Sequence, residues 1–325
     1  MKHTLFDLLD GVSKQKTLFF PETIPQQIPH GDMPGDKIVI DAGHIRKAKV
    51  LMPPLVTLLA GTLEHKPSQR CVIGICGGSG VGKSETASLI GWYLRYLGVS
   101  CYILSGDNYP HRIPQYNDAE RLRIFRDAGI RGLFSHGAHT KEIGVLLHEL
   151  MLQDQDADPT LCEQYPWLSV YQAAGRNGLK RYLGTPEEID FCGVSNIINQ
   201  FQNGARSIML KRLGRESADL WYELVDFSEV DVLIVEWTHS NSDFLSGVDV
   251  PILLNSTPEE TLAHRKQRNR DGKTDSAFTT MVLEIEQSLL IQHAHKAKLI
   301  LSKDGELLPC EAFCNVLDKP HEVSL

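Results

Sequence analysis

Residues 71–84 read CVIGICGGSGVGKS, an apolar run that breaks into glycines and then into a lysine and a hydroxyl. Gly77 to Ser84 fits the phosphate-loop pattern G-x-x-x-x-G-K-[ST], and it lies between a strand-like run and a helix-like one, the context that gives the pattern meaning. Gly77, Gly78, Ser79, Gly80, Val81 and Gly82 let successive backbone N–H groups turn toward a di- or triphosphate. The helix that opens through Lys83, Ser84 and Glu85 adds the partial positive charge of its N-terminus. In such a loop Lys83 reaches the β and γ phosphates and the Ser84 hydroxyl ligates Mg²⁺. Nucleotide binding follows, with kinase, ATPase and GTPase chemistry all open at this point.

Three further groups narrow the chemistry. LSGDNYP, residues 104–110, puts Asp107 just past the end of a second strand, where an open parallel sheet lines its ligand crevice. A carboxylate there can take the proton of an acceptor hydroxyl or hold Mg²⁺ through water. The apolar run at 230–235 ends in Glu236, which would meet the metal if this strand lies beside the loop strand. The segment TPEETLAHRKQRNRD, residues 257–271, carries Arg265, Arg268 and Arg270 toward a glycine break, as a lid that closes over a transferring phosphate would.

The elements that must hold these groups alternate. Residues 72–76 form a strand buried on both faces, and 84–97 a helix with apolar Leu89, Ile90, Tyr93 and Leu97 at three-to-four spacing. Strands are expected at 100–105, 207–210, 230–235, 250–254 and 298–301. TPEE occurs twice, at 185–188 and 257–260, each time as Thr N-cap, Pro at N1 and Glu at N3. The first should open a helix whose apolar face is Val194, Ile197, Ile198 and Phe201. This alternation implies a mostly parallel sheet covered on both sides. Residues 1–36 are rich in Pro, Gln and Gly and read as an extended arm. A short strand at 37–41 and a helix over 44–64, started or interrupted at Pro53-Pro54, follow. Residues 1–70 are thus expected to be an N-terminal extension packed on a domain spanning 71–325.

A chain of 325 residues, 42% hydrophobic, can bury a large core, and a formal charge of −8 argues against a general nucleic-acid or anionic-membrane binder. Seven scattered cysteines fit neither a zinc ribbon nor a disulfide framework and suggest free thiols in a reducing compartment. The N-terminus lacks the pattern of a secretory signal, and no apolar run is long enough to span a membrane, so a cytoplasmic protein is expected. Self-association as a homo-oligomer is left open.

With these residues in view the sequence resembles the phosphoribulokinase and uridine kinase family of P-loop kinases over residues 71–302. The likeness rests on the GGSGVGKS loop, on SGDNY at 105–109, on EIDF through FQNG at 188–204, on the strand ending in Glu236, and on the R-x-x-R-x-R-D run from Arg265 to Asp271. It implies a three-layer α/β P-loop NTPase sandwich that uses ATP and Mg²⁺. Asp107 would be the base, Lys83 and the lid arginines would steady the γ-phosphoryl group, and Ser84, Glu236 and Asp107 would attend the metal. Tyr109 would lie on the acceptor side. The sequence departs from the pattern at Trp237, where glycine is usual, at Glu85, where Ser or Thr is frequent, and at MLKR, 209–212. Lys211, Arg212 and Arg215 suggest an anionic acceptor, such as a sugar phosphate or hydroxy acid. Residues 111–184, with Arg112, Arg121, Arg126 and Arg176 among many cations, are expected to form the substrate cap, and 260–275 the lid. The leading expectation is a small-molecule kinase, with an adenylylsulfate kinase as one variant. A regulatory or metallochaperone-type GTPase is the other class, weakened because LSKD at 301–304 lacks the asparagine of N-K-x-D.

Overall fold

The computed structural model describes residues 4–309 except 16, 17, 19, 22, 26, 215, 217 and 269–275, and gives only the backbone of 264, 267 and 268. Elements are numbered along the chain. β1 (Cys71–Gly77) is buried from end to end. Its Ile73 and Ile75 enter one core with α2 (Ala42–Leu63) and α3 (Lys83–Tyr96). Val72 enters another with α7 (Phe191–Gln202). The two-residue period of a strand thus feeds both faces of the sheet, and helices cover each.

Four strands join β1: β2 (Cys101–Ser105), β5 (Val232–Glu236), β6 (Val250–Leu254) and β7 (Leu299–Leu301). The order is β2-β5-β1-β6-β7-β8, parallel except that β8 (Leu307–Leu308) runs antiparallel on the β7 edge. This is the three-layer α/β sandwich that the alternation implied.

Several local readings change. The TPEE at 185–188 opens no helix. α7 begins later, with Asp190 accepting from the Gly193 N–H at 2.8 Å, because the Glu188 carboxylate is drawn into a buried ion pair with Arg121 at 2.6 Å. A tertiary charge partner here overrides a local cap. Residues 207–210 belong to β3 (Ser207–Leu213), which pairs antiparallel with β4 (Leu220–Asp226) in a separate hairpin outside the main sheet. The 37–41 segment pairs with no strand among the described residues. α2 runs straight through Pro53 and Pro54, which sit on its less buried side while Ala48, Leu51, Leu55, Val56 and Leu59 are buried.

A second helical group packs beside the sheet. α4 (Pro114–Ser135), α5 (Lys141–Leu152), α6 (Pro166–Lys180) and α9 (Ala277–Gln292) share a core of Phe125, Leu147, Leu168, Tyr171 and Ile285. α1 (Leu5–Ser13) packs on α2. Among the described residues no helix is long and apolar enough to cross a membrane, and the five described cysteines are free.

Because α2 shares its core with β1 and α3, Leu55→Ala should cost about 2 to 5 kcal/mol. Denaturant unfolding followed by far-UV dichroism should show this as one shifted transition for the whole chain. A separate early transition, with the rest unchanged, would contradict a shared core.

Candidate active site

The phosphate loop joins β1 to α3 through backbone that only glycine adopts easily. Gly80 and Gly82 have φ of +78° and +91°, and Gly82 is the N-cap of α3 with no side chain capping it. The first N–H groups of α3 therefore have no side-chain acceptor at their cap, the arrangement that receives an anion. The Lys83 amine folds back to donate to the Gly78 carbonyl at 3.1 Å. α8 (Pro258–Arg268) begins at the second TPEE as expected. The Thr257 N–H donates to Glu260 at 2.8 Å and the Glu260 N–H to the Thr257 hydroxyl at 3.3 Å. This helix crosses the loop so closely that a β-carbon on Gly80 would lie 2.9 Å from the Arg265 side chain. Arg265 donates from Nη2 to the Pro258 carbonyl at 2.9 Å, while its buried Nε has no partner among the described residues. A buried guanidinium N–H without an acceptor beside a phosphate loop fits a phosphate. Arg270 lies outside the described residues, as does the side chain of Arg268.

Parallel pairing brings three strand tips together. Glu236 is in register with Ile75 of β1 on one side and Ser105 of β2 on the other. The Ser84 hydroxyl donates to Glu236 at 3.2 Å and the Ser105 hydroxyl at 3.4 Å. Burial, then the negative charge of Asp107, pushes the Glu236 carboxyl up to about 7, against the opposing pull of Lys83 and Ser84. Ser84 and Glu236 offer hard oxygens. Mg²⁺ takes few protein ligands and fills its shell with phosphate and water, so this pair fits it, and no cluster of three metal-binding side chains is needed or found among the described residues. Asp107 is exposed on a 3₁₀ turn, Gly106–Asn108, two strands from the loop strand and not directly beside it. Trp237, the departure noted in the sequence, is accommodated by Gly106, where a β-carbon would fall 1.9 Å from the indole.

The helical group closes the other side. Arg121 of α4 binds Glu188 at 2.6 Å and Glu286 of α9 at 3.3 Å, and Glu188 also accepts from the Gly184 N–H at 2.8 Å and Asn117 at 3.0 Å. Against the burial that would raise it, Arg121 and the Gly184 amide hold Glu188 below the usual carboxylate range. Next to them His239, packed edge-on to Trp237 and Phe191, is pushed by burial down to about 4 and stays neutral. A cavity lined by Thr238, His239, Asn241, Glu286 and His293 lies here. The Lys83 charge acts on Glu236, His239 and Glu286 alike. Glu188, His239 and Glu286 escaped the sequence reading: Glu188 looked like a helix cap, and no motif marks the other two.

The expected acceptor cations are engaged elsewhere. Arg212 is buried and donates to Asp32 at 2.8 Å, to Glu223 at 3.1 Å and to the Tyr102 hydroxyl at 3.0 Å. Lys211 donates to the Pro110 carbonyl at 2.8 Å, and Arg215 lies outside the described residues. Tyr109 is buried with no partner for its hydroxyl among the described residues. Ser84, Glu236 and the turn that carries Asp107 thus lie at neighbouring strand tips, whereas Arg212 sits in an internal ion pair.

Sheet order, loop geometry and the acid at the neighbouring strand tip define a P-loop α/β nucleotide-binding fold. No model of a known protein family matches the chain. It is 39% identical over 244 residues to the bifunctional alpha-galactosidase/sucrose kinase AgaSK of Mediterraneibacter gnavus, an alignment covering 75% of this chain and 21% of that protein. The chain therefore spans about a fifth of the length of this curated relative. Among solved structures, D-glycerate 3-kinase from Cryptococcus neoformans aligns over 83% of this chain and 99% of its own, at 10% identity and a TM-score of 0.44. A structure described as a possible uridine kinase from Bacillus stearothermophilus aligns over 68% of this chain and 90% of its own, at 16% identity and a TM-score of 0.31.

Two outcomes follow from this geometry. Gly106→Ala should displace Trp237 or the Asp107 turn, lowering both melting temperature and indole burial read by fluorescence; an unchanged emission spectrum and melting point would contradict the close contact. Folded His239 takes its proton only near 4, against the usual 6.5, so the unfolded chain binds more protons between those values and stability falls as pH drops through that window. His239→Gln should flatten the melting-temperature profile between pH 6.5 and 4; an unaltered slope would contradict the neutral buried imidazole.

Proposed function

We propose that the chain is an ATP-dependent kinase that transfers the γ-phosphoryl group to a hydroxyl of a neutral sugar. The observation that carries this reading is the convergence of Lys83, the Ser84–Glu236 pair and the exposed Asp107 at neighbouring strand tips, under Arg265. Asp107 is exposed on its turn, where a hydroxyl acceptor larger than water can reach it. The named activity of the curated relative supports the same reading. A phosphate loop serves a kinase and has no role in cleaving a galactoside, so we assign the matched fifth to its sucrose kinase part. The resemblance to phosphoribulokinases and uridine kinases agrees.

In this mechanism the loop amides and the N-terminus of α3 hold the triphosphate. Lys83 moves from the Gly78 carbonyl to the β and γ phosphates, and Arg265 faces the transferring group with its open Nε. Ser84 and Glu236 would hold Mg²⁺, which when bound would supply positive charge to the phosphate oxygens. Asp107 takes the proton of the acceptor hydroxyl as its oxygen forms a bond to the γ-phosphorus. The bond from that phosphorus to the bridging oxygen breaks, and ADP leaves.

A neutral acceptor replaces the anion expected from the sequence. Arg212 is already paired with Asp32 and Glu223, so it is not free to receive an anionic acceptor, and the sugar in the curated relative's name carries no charge. We place the enzyme in the cytoplasm, where ATP is available.

Asp107→Asn should lower kcat for sugar phosphorylation by about 10²- to 10⁴-fold and leave MgATP affinity within about twofold, measured by coupled ADP formation and by calorimetry. Undiminished transfer would remove Asp107 as the base.

A further inference from the structure

Asp32 lies in the proline-rich segment before α2, 73 residues ahead of the strand tip that it meets. Its side chain is 9% exposed and its two oxygens receive four hydrogen bonds. Oδ1 accepts from the Ser105 backbone N–H at 2.8 Å and from Asn108 Nδ2 at 3.1 Å; Oδ2 accepts from the Tyr102 hydroxyl at 2.9 Å and from Arg212 at 2.8 Å. Two of these donors bracket Asp107 in sequence, Ser105 before it and Asn108 after it. Asn108 is held at its other end as well, accepting from the Leu213 N–H of β3 at 3.0 Å. The exposed Asp107 thus stands on a three-residue turn pinned on both sides to one buried carboxylate. The neighbouring Gly31 continues the contact: a β-carbon there would lie 3.6 Å from Ser105 and 3.9 Å from a Glu236 carboxylate oxygen. The segment thus packs against the strand tips that carry Glu236 and Ser105.

We propose that Asp32 is a positioning residue for phosphoryl transfer: its carboxylate, brought in by the N-terminal segment, fixes the turn that presents Asp107 to the acceptor hydroxyl. On this account the N-terminal segment is a working part of the active site and not a passive arm. The inference rests on the kinase reading for its catalytic consequence, while the tether itself is a matter of structure. A purely structural alternative exists, in which Asp32 only neutralises the buried Arg212.

A double-mutant cycle separates the two. Asp32→Asn keeps the shape but loses the charge and presents an amide to donors, so the turn loosens. In the wild-type background it should lower kcat about 10-fold or more while the KM for MgATP stays within about twofold, because the phosphate loop lies two strands away. In the Arg212→Gln background, where no unpaired guanidinium is left behind, the same substitution should recover thermal stability yet still cost about 10-fold in kcat. If Asp32→Asn costs nothing in kcat once Arg212 is Gln, Asp32 serves the ion pair alone and the proposal is overturned. Should the single variant fail to fold, the comparison of Arg212→Gln with the double variant decides between the two in the same way. Hydrogen exchange read by mass spectrometry over residues 101–109 tests the tether without any assay of transfer. Faster exchange there in the double variant than in Arg212→Gln supports it, and equal exchange overturns it. A wild-type protein that phosphorylates no sugar would remove the kinase reading, and the exchange result would still decide whether Asp32 holds the turn.

Discussion

The whole site depends on the parallel insertion of β5 between β1 and β2. That single pairing puts Glu236 level with Ile75 on one side and Ser105 on the other. The phosphate loop, which leaves the end of β1, and the turn carrying Asp107, which leaves the end of β2, are thereby held one strand spacing from the same acid. A parallel strand cannot be reached by a tight turn, so each crossover must be long. The long connections carry the α4–α6 helices, the β3–β4 hairpin, and α8 with Arg265 over the loop.

Charge then decides how the crevice behaves. Glu236 and Asp107 are like charges at adjacent tips, and Glu236 is buried, so its ionised form relies on Lys83 and on a cation. Beside α4 and α9 the arrangement differs. Arg121 pairs with Glu188, Glu286 and Asp118, and His239 stays uncharged, so this side holds fixed ion pairs and a neutral imidazole and not a lone buried acid.

Much of this was legible in the sequence where the signal is local. The loop from Gly77 to Ser84, the strands of the parallel sheet, Glu236 at the tip beside the loop strand and the cap of α8 are each written within a dozen residues, and the fold delivers them as read. What was illegible depends on distant partners. Arg212 looked like an anion receptor because nothing in its neighbourhood reveals Asp32, 180 residues earlier. The TPEE at 185–188 looked like a helix start because Arg121, which captures Glu188, lies 67 residues away. Trp237 looked anomalous because nothing in its neighbourhood reveals Gly106, whose missing side chain makes room for the indole. β4 was missed because its apolar residues do not alternate and most of its positions are exposed.

The central claim is that the γ-phosphoryl group passes to a sugar hydroxyl and not to water. Its most direct measurement uses ATP labelled with heavy oxygen at the three non-bridging γ positions, incubated with Mg²⁺, the protein and sucrose, with products read by mass spectrometry. The expected product is a sugar monophosphate carrying all the label, with its bridging oxygen unlabelled and supplied by the sugar. Label found only in inorganic phosphate, or retained in ATP with sucrose and every other neutral sugar offered, would contradict it.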